Sequence, residues 1–145
     1  THHRTDRVIH RVRLGPHERA IPSAALDARE RRMLGAAWRR WADAVVITPT
    51  VAYVVEAAMV ADPGDTSRLA TYLLLVDATP ELAFLREHVK RGLLVWAVDD
   101  PWARRVATDA GIEVRVFRPS NFGEWLSTKR RREQGPPRVA GTLPT

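Results

Sequence analysis

The chain contains no cysteine. That absence excludes a disulfide framework, a thiolate metal site and a cysteine nucleophile, and it fits a reducing compartment. No apolar run approaches the ~20 residues of a membrane-crossing helix. The N-terminus is rich in His and Arg with no apolar stretch behind it, so no signal peptide is expected and a cytoplasmic location is. Neither GxGxxG nor GxxxxGKS/T occurs, so the glycine-rich routes to nucleotide binding are closed. His10, His17 and His88 form no HExxH or HxxH pair, which argues against zinc. Ser23, Ser67, Ser120 and Ser127 lack a GxSxG setting, which argues against a hydrolase triad.

What is present is an ordinary globular composition, 45% apolar and 28% charged, over 145 residues. That is one domain's length with room for an independent core. The net charge of +6 is unevenly spread. Residues 1–40 hold ten Lys/Arg against four Asp/Glu, residues 41–128 eight against twelve, and residues 129–145 five against one. A mildly acidic body between two basic ends is an electrostatic footprint for nucleic acid, because each phosphate neutralised releases counterions. The division expected is a basic arm over 1–22, one α/β domain over 23–128 and a basic flexible tail over 129–145. An acidic partner protein would suit the same ends.

Local signals sketch alternating strands and helices. Val8–Leu14 partly alternates and predicts an edge strand ended by Gly15-Pro16. Ser23 is placed to cap a helix reaching about Asp43. Its apolar stripe would be Leu26, Met33, Leu34, Ala37, Trp38 and Trp41. Arg29, Arg32, Arg39 and Arg40 would form its other side, a solvated or phosphate-binding face. Ala44–Ile47 predicts a buried strand, and Thr50 caps a helix from Val51 to Ala61. Asp62-Pro63-Gly64-Asp65 reads as a breaker before a second strand, Tyr72–Val76. Thr79-Pro80-Glu81 predicts a helix start, with Lys90 and Arg91 in its last turn and Gly92 after it. A strand over Leu93–Val98 follows. Asp100-Pro101 opens a helix ended by Gly111, and Ile112–Phe117 is an edge strand. Ser120 caps a short helix with Phe122, Trp125 and Leu126. The pattern predicts a three-layer α/β sandwich, Rossmann-like, with a mostly parallel sheet of four or five strands.

Ligands of such sheets sit at the carboxyl ends of the strands. Asp77, Asp99 and Asp100 are predicted to end strands there, with Glu81 opening the intervening helix. Converging carboxylates repel unless a hard cation lies between them, and Mg²⁺ or Mn²⁺ is the expected occupant. Such a metal activates water and clamps a phosphodiester for in-line attack. Each acid also has a plainer role, Asp100 and Glu81 as helix-start residues and the others as solvated strand ends. Trp96 and the helical tryptophans are expected in the core. Trp102 either packs on the sheet or stacks a base.

The segments Glu81–Phe84, Gly92–Trp102 and Ala110–Val114 resemble the C-terminal half of PIN-domain nucleases and of the related NYN nucleases. Val45–Val51 resembles that family's first strand and turn. The resemblance covers about a third of the chain. It implies a PIN-like fold, metal-dependent RNA cleavage with Asp99, Glu81 and Asp100 as catalytic residues, and metal ligation by Asp99, Glu81 and Asp77. For toxin members it further implies a protein antitoxin partner. The family's first strand ends in Asp where this chain has Thr48, which implies a non-catalytic relative as the alternative. In that alternative the basic residues Arg29, Arg32, Arg39, Arg40, Lys129, Arg130, Arg131 and Arg132 bind RNA or DNA and the acids are caps.

Overall fold

The structure, a computed structural model, describes residues 7–17 and 26–134, with the side chains of 34–38 and of 133 and 134 outside the description. Five strands form one mixed sheet in the order β1 (Arg7–Leu14), β2 (Arg40–Ile47), β3 (Val51–Val60), β4 (Val89–Val98) and β5 (Glu113–Val116). The β1–β2 and β2–β3 pairs are antiparallel, and β3–β4 and β4–β5 are parallel. The sheet is therefore not mostly parallel. Helix α1 (Ala28–Trp38) precedes β2, α2 (Pro63–Asp77) links β3 to β4, α3 (Pro101–Asp109) links β4 to β5, and α4 (Phe122–Gln134) ends the described chain. A 3-10 helix spans Pro80–Leu85. Helix α2 touches β3, β4 and α3, while α3 packs on β5, so both crossover helices share one face of the sheet. Among the described residues neither α1 nor α4 packs extensively on the sheet, so the expected two helical layers are not formed.

Three predicted elements changed type. Val51–Val60 is a strand, not a helix capped by Thr50. It is the third of five strands and is apolar on both faces, so no alternation marks it. Thr48 closes the β2–β3 turn: its hydroxyl donates to the Val51 carbonyl at 2.9 Å and accepts from the Val51 N–H at 3.0 Å. Tyr72–Val76 is the second half of α2, not a strand. The supposed breaker before it is the helix start. Asp62 caps the Gly64 N–H at 2.7 Å, Asp65 returns a bond to the Asp62 N–H at 3.1 Å, and Pro63 occupies the first turn. Lys90, Arg91 and Gly92 belong to β4 rather than to a helix end.

Other boundaries also move. Helix α1 is capped by Asp27 through a reciprocal box with Glu30, and it ends at Trp38. Ser23 lies outside the described residues. Trp41 is therefore in β2 and is 49% exposed, and Met33 is 64% exposed, so neither joins a buried helical stripe. Trp102, at 78% exposure, does not pack on the sheet. Lys129–Arg132 lie in α4, which reaches Gln134, rather than in a tail. The predicted edge strands β1 and β5 and the Asp100-Pro101 start of α3 are found as read. Gly111, with φ 72, takes the left-handed turn after α3.

The core lies between the sheet and α2, with Leu14, Val45, Val54, Leu69, Val76, Leu85, Leu94 and Trp96 all essentially inaccessible. Each such side chain contributes roughly 1.5–3 kcal/mol by burial. Helix α2 crosses β4 so closely that a Cβ on Gly92 would lie 3.0 Å from Leu69 and 3.3 Å from Ile112. Glycine is needed there for space. The outer ribbon is bent. Ile9 packs against the core and Val12 and Leu14 lie in it, a spacing of three that breaks a strand's alternation. The break falls at Arg11, whose φ is 49. Opposite, β2 shows the same shift between Ala42 and Val45. The bent end is tied down where the Gly15 N–H donates to the Thr79 hydroxyl at 2.8 Å, which itself donates to the Leu75 carbonyl.

Candidate nucleic-acid interface

The four acids predicted to converge fall in three separate places, with only Asp99 and Asp100 adjacent, and each has its own partner. Asp77 ends α2 and pairs with Lys90, the second residue of β4, at 3.1 Å. Asp99 follows the last residue of that strand and pairs with Arg104 of α3 at 2.8 Å. Nine residues of strand separate Lys90 from Asp99, roughly 30 Å. Asp100 caps α3, accepting from the N–H groups of Trp102 at 3.0 Å and Ala103 at 2.8 Å. Glu81 sits at the β1–β2 side, where Arg39 grips both of its oxygens at 3.0 and 2.8 Å and His17 approaches to 3.2 Å. Partial burial pushes the Glu81 carboxyl up, but the Arg39 contacts outweigh it and hold it below its ordinary value. Among the described residues no group of three His, Asp or Glu side chains is placed to share a cation. The convergence failed because Asp77 ends a helix, not a strand.

A different acidic group lies under α2. Glu56 on β3 and Asp65 on α2 are both nearly buried. Arg68, one turn along α2, donates to Glu56 at 2.9 Å and stands 3.7 Å from Asp65. Asp65 also accepts from the Trp96 indole N–H at 3.0 Å. Burial pushes the Glu56 carboxyl up, the Arg68 contact pulls it down, and Asp43 and Asp65 push it up again. Asp43 itself accepts from the Ala57 N–H at 2.7 Å, just where β2 stops pairing with β3. The guanidinium of Arg68 supplies the positive charge that these carboxylates need. Sequence spacing could not reveal this group, because Glu56 and Arg68 meet only through the packing of α2 on β3.

The basic residues divide by environment. The Arg39 side chain is 7% exposed and serves the structure, donating to the Arg13 carbonyl as well as to Glu81. Arg29 and Arg32 are exposed on α1. Arg40 borders a cavity of about 340 Å³ with Arg68, Thr71 and Tyr72. Helix α4 carries Lys129, Arg130, Arg131 and Arg132, all exposed. Two neighbouring rings at its start are flanked by cations, Arg118 before the helix and Lys129 within it. Arg118 lies 5.5 Å from the Phe122 ring centre, Phe122 stacks on Trp125 at 5.9 Å and 21°, and Lys129 lies 5.4 Å from Trp125. Asn121, Trp125, Thr128, Lys129 and Arg132 line a surface groove of about 540 Å³ on this helix, with Glu124 as the one acid. A second such grouping sits on the β1–β2 ribbon, where Arg11 and Arg13 lie 5.7 and 4.8 Å from the Trp41 ring centre. The sequence reading singled out the α4 cations but placed Trp41 inside a helix.

No helix is long and apolar enough to cross a membrane among the described residues. No protein-family model matches the chain, and no curated protein matches it in sequence. The PIN resemblance thus has no family match behind it. Two solved structures share part of its course. One is a repair endonuclease from Pyrococcus abyssi, with a TM-score of 0.45 and 20% identity over 55% of this chain and 33% of that one. The other is a protein of unknown function, AF1548, with a TM-score of 0.48 and 11% identity over 86% of this chain and 58% of that one. The chain is therefore similar in part to these folds and spans about a third and somewhat over half of their respective lengths.

Proposed function

We propose that this chain is a nucleic-acid-binding α/β module that grips the phosphate backbone and does not cut it. The observation that carries the reading is α4, where four consecutive cations share a helix with a stacked Phe122–Trp125 pair beside a surface groove. Cations neutralise phosphates and rings accept bases, which is the combination single-strand binders use. The acids support binding without cleavage. Asp77, Glu81 and Asp99 are each engaged by a cationic side chain, and Asp100 is engaged as a helix cap. The Mg²⁺- or Mn²⁺-dependent cleavage that the family resemblance implies needs carboxylates that share a cation. RNA is the first probe, since the family resemblance points there.

The test is fluorescence anisotropy with a labelled single-stranded RNA at several salt concentrations. Four phosphate contacts to a single strand should weaken binding about 50-fold between ~50 and ~200 mM salt. The variant Arg130→Ala/Arg131→Ala/Arg132→Ala should flatten the log–log slope by about 2. Salt-independent binding, or a triple variant that binds like the parent, overturns the reading. Cleavage of the RNA on adding Mn²⁺, lost in Asp99→Asn, would restore the nuclease reading in its place.

A further inference from the structure

The bent β1–β2 ribbon carries a feature that α4 does not explain. Trp41 is half exposed although Ala42 beside it is buried. Two guanidinium groups from the neighbouring strand gather at its ring, Arg13 at 4.8 Å and Arg11 at 5.7 Å. Arg13 faces Trp41 directly in the strand register. Arg11 reaches the ring from a left-handed backbone, φ 49, uncommon outside glycine, at the point where the strand's alternation breaks. Neither arginine forms an ion pair among the described residues, and Asp43, which like Arg11 has no partner in the β1–β2 register, directs a carboxylate oxygen to the Ala57 N–H. The ribbon thus presents one half-exposed indole with two guanidinium groups over its ring, which no ion pair among the described residues holds there and which must swing aside to admit a base.

We infer that Trp41 with Arg11 and Arg13 is a second contact site, one that stacks an unpaired nucleobase while the two arginines hold the flanking phosphates. This rests on the nucleic-acid reading above and narrows it to single strands. The bases of a duplex are already stacked on one another, so only an unpaired base can lie against an indole fixed on a strand. Stacking tolerates any base, so the site carries little sequence preference. Stacking and phosphate contacts do not read the sugar, so RNA and DNA single strands should be bound alike at this point.

The experiment compares the parent, Trp41→Ala, Trp41→Phe and the α4 triple variant against four probes. These are a single-stranded RNA, the same sequence as single-stranded DNA, its blunt DNA duplex, and inorganic polyphosphate, which has charge but no bases. Trp41→Ala should weaken both single strands about 5- to 100-fold. It should leave duplex and polyphosphate binding unchanged, and Trp41→Phe should recover most of the loss. Circular dichroism establishes that the exposed-site variants are folded. Unchanged single-strand affinity in Trp41→Ala, or an equal loss for polyphosphate, overturns the inference. If Trp41→Ala is silent while the α4 variant loses binding, this inference falls and the nucleic-acid reading stands. If the parent binds none of the probes, both fall.

Discussion

Removing Arg68 tests the electrostatics under α2 through the pH dependence it should create. In Arg68→Ala, Glu56 keeps its buried position and loses the guanidinium that donates to it at 2.9 Å. Breaking a fully buried pair on one side costs about 3–5 kcal/mol. The Arg68 side chain is 52% exposed, so solvent already screens the pair and the expected loss is smaller, about 1–2 kcal/mol at pH 7.5. Burial already raises the Glu56 pKa above 4.5, and removing the Arg68 contact lets it rise further. A carboxyl raised on folding favours the folded state below its ordinary value and loses that contribution as pH climbs through the raised one. The variant should therefore lose little at pH 4.5 and most at pH 7.5. For a domain of this size the neutral-pH loss corresponds to a Tm drop of about 3–6 °C, read by circular dichroism. Adding Glu56→Gln should recover most of the drop, because a neutral amide needs no counter-charge. A drop of equal size at both pH values, or no recovery in the double variant, would refute the account of Glu56 as a buried carboxylate held by Arg68.

Four further expectations concern the frame. Gly92→Ala places a methyl 3.0 Å from Leu69 and should cost about 1–3 kcal/mol in chemical denaturation. Asp100→Ala removes two cap bonds from α3 and should cost about 1 kcal/mol, while Asp100→Ser should recover most of it. Thr79→Val leaves the Gly15 N–H without its buried acceptor and should cost about 1–3 kcal/mol, with faster amide exchange at Gly15. Asp99→Asn touches an exposed pair with Arg104 and a hydrogen bond accepted from the Asp100 N–H, which the amide oxygen can keep, and should shift stability by less than about 1 kcal/mol in chemical denaturation; a large loss would mean that Asp99 does more than these contacts show.

Punctuation in the sequence was easier to read than the runs between it. Gly15, Asp100-Pro101 and Gly111 act at short range, and their elements begin and end where those residues place them. Val51–Val60, interrupted only by Glu56, and Tyr72–Val76 are mostly apolar, and apolar residues on both faces of each remove the periodicity that separates strand from helix. The first became a strand because the Thr48 turn folds it back on β2. The second became helix because Asp62 and Asp65 cap a chain that continues without interruption. Exchanging those two elements moved Asp77 to the end of a helix and dissolved the acidic rim. The cationic run at 129–132 was legible as charge at the frayed end of the helix that carries Trp125, and the regular continuation of that helix to Gln134 was not. Trp41 and the Glu56–Arg68 group depend on strand register and helix crossing, which distant residues fix together.

The kinked outer strand also bears on how copies of this chain avoid one another. A sheet with open margins invites another chain to extend its hydrogen-bonded ladder. One margin here is β1, where Arg7, Arg11 and Arg13 crowd eight residues and the left-handed turn at Arg11 spoils a straight template. The other is β5, only four residues long and followed by Pro119. Replacing Arg11 with a β-branched neutral residue would disfavour the left-handed turn, remove one of these charges and leave a straighter edge more open to pairing.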